Sequence, residues 1–326
     1  MKNVFTFLLL LFSLLCNGQS PKLFTTDKEL SSSLINQIYQ DRNGFIWIAT
    51  EDGLNRYDGA KFTIYKHEPN NEHSLAHNFV RTVFEDSKGH LLIGTYIGIQ
   101  MYDPATDNFT PLAKLEDTGE TLESNINSFI ERKNGEIWVS GNVLCKLDIK
   151  DHLLTVRKVD IAVTSPGSLF EDKKQNVWMA KGEEGVYQLT PDNQLTLHLS
   201  KDNGYVKSIC EDQRGNIYVG SIRKGLFIYD KERKTFVPVD LKEKGELPVC
   251  FLYSGPQNEL YIGTDGKGMS VYNNQTHEIS EYNFDNNYFD SKNSKIHSIL
   301  KDNSGNLWLA VYQKGVMQIP ARTKDR

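Results

Sequence analysis

One feature constrains this chain more than any other: a segment of about forty-five residues that recurs along it. Residues 38–57 read IYQDRNGFIWIATEDGLNRY and residues 83–102 read VFEDSKGHLLIGTYIGIQMY. Residues 209–229 and 299–319 repeat the pattern as ICEDQRGNIYVGSIRKGLFIY and ILKDNSGNLWLAVYQKGVMQI. The shared form is apolar-x-x-D-x-x-G-x-apolar-aromatic-apolar, with a second glycine six or seven residues past the aromatic. Anchored on the first glycine, the copies fall at Gly44, Gly89, Gly135, Gln175, Gly215, Asn258 and Gly305, spaced 45, 46, 40, 40, 43 and 47 residues apart. The aromatic recurs as Trp47, Trp138, Trp178, Tyr218, Tyr261 and Trp308, with Leu92 as the exception, and the third copy lacks the second glycine.

Each copy resolves into four short runs rich in β-branched and aromatic residues, punctuated by Gly, Asn and Asp. In the first copy these are 36–40, 45–50, 54–57 and 62–65. The second run is apolar at consecutive positions, as a strand covered on both faces can be. Blades stacked around an axis supply such cover, and a period of this length is that of a propeller. The expectation is an all-β fold: a single seven-bladed β-propeller with four antiparallel strands per blade. The last copy ends at Ile319 after its third strand, and Lys22–Thr25 reads as an orphan strand. An N-terminal strand therefore completes the last blade and closes the ring. An open β-solenoid, or part of a larger ring, is the alternative architecture.

The repeated polar residues admit two readings. Asp41, Asp86, Asp172, Asp212 and Asp302 could suggest calcium loops, but the alternating ligands and later bidentate Glu of such a loop are missing. A carboxylate capping a hairpin turn, beside a Gly at positive φ, is the preferred reading. The Trp/Tyr series reads as packing between blades. His67, His73 and His77 share one loop at spacings that argue for a solvated segment over a metal site. The sequence carries no nucleophile elbow, Walker loop, H-E-x-x-H or C-x-x-C. Arg81 and Arg223 read as isolated, and no Glu pair recurs at the predicted axis, so no catalytic, cofactor or metal residues are expected.

Residues 1–18 have the form of a secretory signal peptide: Lys2, the apolar run Val4–Leu15, then Cys16, Asn17 and Gly18. A lipoprotein signal through Cys16 fits less well, because Leu15 stands where a small residue is wanted; a buried first strand or helix is the remaining reading. The run is shorter than the roughly 20 residues of a membrane span, and no later stretch approaches that length. Cys145, Cys210 and Cys250 remain, an odd number, and no obligatory disulfide is expected. A net charge of −5 gives no basic footprint for nucleic acid. The expected organisation is a signal peptide at 1–18, the propeller at 19–319, and a tail or linker to a following domain at 320–326.

Function then falls to loops on a rigid scaffold. Connections between second and third strands share a face with those between blades. They carry Asn78, Tyr96, Tyr205, Arg223, Lys224, Lys267, Tyr312 and Lys314, aromatics beside polar groups, which suits a sugar.

The repeat resembles the regulator-propeller repeat of bacterial two-component sensors. Asp41–Tyr57 carries the D-x-x-G-x-[IL]-W-[IV]-[AG]-T strand and the Gly-Leu-x-x-Tyr strand after it, and 67–80, HEPNNEHSLAHNFV, is similar to the loop that joins blades in that family. The resemblance covers about residues 22–319 and is to the N-terminal propeller in the periplasmic sensor of hybrid two-component systems of Bacteroidetes. It implies a periplasmic, ligand-sensing propeller for glycan fragments, with an oligosaccharide as ligand and further sensor domains or a second protomer as partners. The kinase parts of such a receptor are not in this sequence. A stand-alone scaffold for protein–protein interaction and a propeller glycosidase or lyase are the alternatives from other classes.

Overall fold

The computed structural model describes residues 20–199 and 204–321. The signal-peptide assignment, with Cys16, and residues 322–326 lie outside them. The described residues form seven sheets in sequence order around an axis, each built on four antiparallel strands. The first blade runs Ile35–Gln40, Ile46–Thr50, Gly53–Tyr57 and Phe62–Tyr65 from the axis outward. These strands sit within a residue of the runs read from the sequence.

The seventh blade is built from both ends of the chain. Its own three strands are Ile296–Lys301, Leu307–Val311 and Gly315–Ile319, and its outermost strand is Lys22–Phe24. That strand pairs antiparallel with the third, Lys22 opposite Gln318 and Phe24 opposite Val316. The closing strand is short, but Phe24 anchors it. Its ring lies 5.8 Å from Trp308 in a stacked arrangement, 5.3 Å from Tyr57 and 5.0 Å from Phe62. Seventh-blade and first-blade aromatics thus share one N-terminal side chain. Gly315 makes the approach possible: its φ is +130°, and a Cβ there would lie 2.1 Å from the Phe24 carbonyl oxygen.

The second strand of each blade is buried on both faces, which explains its unbroken apolar run. Trp47 is fully buried and packs with Leu91, Ile93 and Tyr102 of the next blade. Each such wedge removes a large ring from water and contributes about 1.5–3 kcal/mol. Leu92, the non-aromatic exception, is equally buried, in the cluster between the second and third blades. One blade departs from four strands. The connector after the second blade adds Lys114–Leu115 parallel to Leu153–Lys158, making the third sheet five-stranded.

The repeated Asp is a turn cap and more. Asp41 Oδ1 accepts from the backbone N–H of Asn43 and Phe45, both at 3.0 Å, while Oδ2 accepts from Trp47 Nε1 at 2.8 Å. Asp172–Trp178 and Asp302–Trp308 repeat the indole bond at 2.9 and 2.8 Å. The anchor position has positive φ in all seven copies, including Gln175 at 65° and Asn258 at 62°. Arg132 and Gly255 occupy the Asp position in the third and sixth copies. In both, a Glu four residues on supplies the carboxylate instead: Trp138 Nε1 donates to Glu136 at 3.0 Å and Tyr261 OH to Glu259 at 3.0 Å.

Blades are also tied to one another by side chains of the innermost strands. Near the loop face, Gln37 accepts from Val83 N–H at 2.7 Å, Ser128 from Leu169 N–H at 3.1 Å and Ser208 from Leu252 N–H at 2.9 Å. At the opposite mouth, Glu85, Glu131, Glu171 and Glu211 each accept a backbone N–H from the preceding blade's turn. Gln40 does the same for Asn303 at 2.8 Å, across the seam between the last blade and the first.

Candidate functional site

The loop face is built by one recurring backbone bond. The residue after the second strand donates its N–H to a carbonyl in the loop entering the same blade: Glu51 to Leu34, Tyr96 to Phe79, Ile222 to Tyr205, Asp265 to Pro248 and Tyr312 to Lys295, all 2.9–3.1 Å. The two loop families therefore lie side by side on one face, as the repeat pattern implied.

Where the innermost strand leaves this face it carries a bulge. Register skips one residue between Ile35 and Gln37, Val80 and Thr82, Val206 and Ser208, Val249 and Phe251, and Ile296 and Ser298. A bulge re-aims the extra side chain. Here the extra residues are Asn36, Arg81, Lys207, Cys250 and His297, and all five line the central channel, with Asn127 and Gly167 from the third and fourth blades. The preceding residue is buried wherever the bulge occurs (Ile35, Val80, Val206, Val249, Ile296), so it locks the strand while its successor borders the channel; of the five successors Cys250 is itself buried, with its thiol turned to the Ile296 carbonyl. The channel encloses about 1060 Å³ and opens to the loop face, where Tyr205 and Tyr312 stand at its mouth, 40 % and 38 % exposed.

The mouth carries charges of both signs. Glu184 pairs with Lys181 at 2.8 Å and Glu183 with Arg223 at 3.1 Å. Asp265 sits 3.3 Å from His297 Nε2 and 3.4 Å from Lys295 Nζ. Burial raises the Asp265 carboxyl, but the His297 hydrogen bond and Lys295 outweigh it and hold the group below the usual range. Burial lowers His297, Lys207 and Lys295 add to that, and Asp265 only partly opposes them, so the imidazole is neutral at neutral pH. Cys250 is pushed up to about 12 by burial and stays a thiol, donating to the Ile296 carbonyl at 2.9 Å.

Of the eight loop residues expected from the sequence, Tyr205 and Tyr312 line the channel. Tyr312 lies 5.1 Å from the His297 ring, with Lys295 Nζ 5.4 Å above its own. Arg223 reaches the mouth only through Glu183. Tyr96 is exposed beside His77 and Phe79 and does not line the channel. Asn78 serves the fold: its Oδ1 accepts from His67 N–H at 2.7 Å and its carbonyl from Gly53 N–H at 2.6 Å. Lys224 borders a separate hollow of about 400 Å³ at the blade edge. Lys267 and Lys314 are exposed turn residues whose backbone N–H groups are used by Thr264 and Val311. Arg81, isolated in the sequence, lines the channel whose mouth Glu183 and Glu184 border. The three loop histidines do not converge: His67 and His73 bond the Leu75 and Phe109 carbonyls, and His77 accepts from Phe79 N–H. The sequence signal for the ring was the residue after each buried apolar that opens an innermost strand. It is invisible without the register, because its type changes in almost every blade.

Residues 29–52, 74–96 and 200–223 match the family described as two component regulator propeller. These three segments are similar to regulator-propeller repeats. A histidine kinase of Formosa agariphila is 37% identical over 83 residues, which is 23% of this chain and 6% of that protein. The chain superimposes on the extracellular domain of a hybrid two component system of B. thetaiotaomicron with a TM-score of 0.77 at 20% identity, covering 92% of this chain and 41% of that one. A second such domain from the same organism gives 0.74 at 17% identity, covering 94% and 43%. The virginiamycin B lyase of Staphylococcus aureus shares the fold at 0.68 and 12% identity over 92% of this chain and 97% of that one. The chain thus spans about two fifths of the two-component domains and a small part of the kinase.

Proposed function

We propose that this regulator propeller is the extracytoplasmic ligand-reading part of a two-component sensor, and that it takes a glycan fragment at the loop-face mouth of its channel. The repeats, and the extracellular two-component domains that share its fold, support the sensor role. Residues 1–18, read as a signal peptide, support export. No helix among the described residues is long and apolar enough to cross a membrane.

The observation that carries the ligand reading is the mouth itself. Tyr205 and Tyr312 place aromatic groups at the mouth, which suit apolar sugar faces, and Asn36, Asn127 and charged groups line it as polar partners for hydroxyls. A ligand shifts signalling only by binding one sensor geometry better than another. Loops from several blades meet at this mouth, so one ligand bridging them would favour one docking arrangement with a neighbouring domain or second protomer.

Calorimetry of the purified protein against a panel of oligosaccharides tests this reading. Binding that is lost in the double variant Y205A/Y312A supports it. A stable complex with another sensor domain and no heat with any sugar favours a scaffold, and turnover of the sugar favours a lyase or glycosidase.

A further inference from the structure

We infer that the channel mouth selects an anionic oligosaccharide, one bearing carboxylate or sulfate groups; this rests on the glycan reading above and narrows it. The inference comes from two cations of the bulge ring. Arg81 and Lys207 occupy the same register position in the second and fifth blades, three blades apart, and both line the channel. The acids near them are already engaged. Glu184 has Lys181, Glu183 has Arg223, and Asp265 has His297 and Lys295. Glu51, on the first blade's loop, lines the mouth as an exposed carboxylate and pairs with neither cation. Among the described residues no carboxylate lies within ion-pair distance of Arg81 or Lys207.

Arg81 is the sharper case. Its guanidinium lies 5.3 Å from the Phe79 ring, and its Nε is buried without a hydrogen-bond partner. Leaving a guanidinium N–H unpaired and out of water costs free energy. Guanidinium also matches carboxylate and sulfate oxygens with two parallel donors, while Lys207 acts as a point charge. Two cations three blades apart around one channel suit an extended ligand with more than one anionic group. Gly167, the ring position on the fourth blade, adds no charge to the ring; a Cβ there would lie 2.1 Å from the Ala180 carbonyl oxygen, so close packing within the blade requires the glycine.

The test is calorimetry with three length-matched probes: a neutral gluco-oligosaccharide, a hexuronate oligosaccharide and a sulfated oligosaccharide. Each is run on the parent, R81M and K207M at two salt concentrations. The expected result is binding of an acidic probe about tenfold or more above the neutral one, weakened by salt and by about tenfold in each variant, the loss of one charge-assisted contact. The two acidic arms tell carboxylate from sulfate. Lys207 is exposed, so K207M reads the charge even if R81M perturbs folding. Neutral and acidic probes binding equally, with K207M unchanged, overturn the anion inference and leave the sensor reading standing. No heat with any probe overturns both.

Discussion

The indole Nε1 of Trp47 donates to Asp41 Oδ2 at 2.8 Å, and both side chains are buried. One residue thus ties the hairpin turn to the wedge between blades, because the other carboxylate oxygen holds two turn N–H groups. Removing Asp41 orphans three donors together. D41A is expected to destabilise the propeller by about 3 kcal/mol, read from urea unfolding. D302A should cost a similar amount, since Trp308 uses the same bond.

The third blade makes the same contact with a different residue, and pH distinguishes it. Glu136 is lowered from 4.5 to about 2, first by its bond with Lys146, with Trp138 and Asn134 also lowering it against burial. A depressed folded pKa means stability that is present above the unfolded value and lost as pH falls through the folded one. The stability difference between the parent and E136Q is therefore expected to be full at neutral pH. It should shrink between pH 4.5 and about 2, as followed by denaturation at a series of pH values.

Closure depends on Phe24. F24A is expected to cost about 3–5 kcal/mol, the usual loss for a buried Phe, and to expose the seam first. Limited proteolysis should then cut near the N-terminal strand before the other blades. Cleavage distributed evenly over the blades would contradict this.

Gln175 holds a φ of 65° where five other copies have glycine. Q175G should raise stability by up to about 1 kcal/mol, the left-handed penalty less the added freedom of the unfolded chain. Its backbone bonds, from Gln175 N–H to Asp172 and from Arg132 to its carbonyl, survive the change.

Asn78 and Tyr205 separate folding from binding. N78A is expected to lower the thermal midpoint without changing affinity for a bound oligosaccharide, because its side chain holds the His67 backbone. Y205A should leave stability within about 0.5 kcal/mol, being a surface change, and weaken binding. The opposite pattern would place the ligand away from the channel.

The seven copies, the strand runs and the wedge residues were legible because backbone period and burial repeat in every blade. Even the seam was readable from a missing strand at one end and a spare one at the other. The substitution of Glu136 and Glu259 for a missing Asp was written in the same sequence, yet it acquires meaning only once both positions are seen to reach one aromatic.

What the sequence determined by itself is the ring: seven β-blades closed by Lys22–Phe24, because local pattern and hydrophobic period act over a few residues and recur. What only the tertiary structure decided is which side chains meet at the axis. Asn36, Arg81, Lys207 and His297 come from different blades, forty or more residues apart, and share one ring through a bulge that shifts register by a single residue. A one-residue shift turns a side chain to the other face. No local pattern records that, so Arg81 passed for isolated.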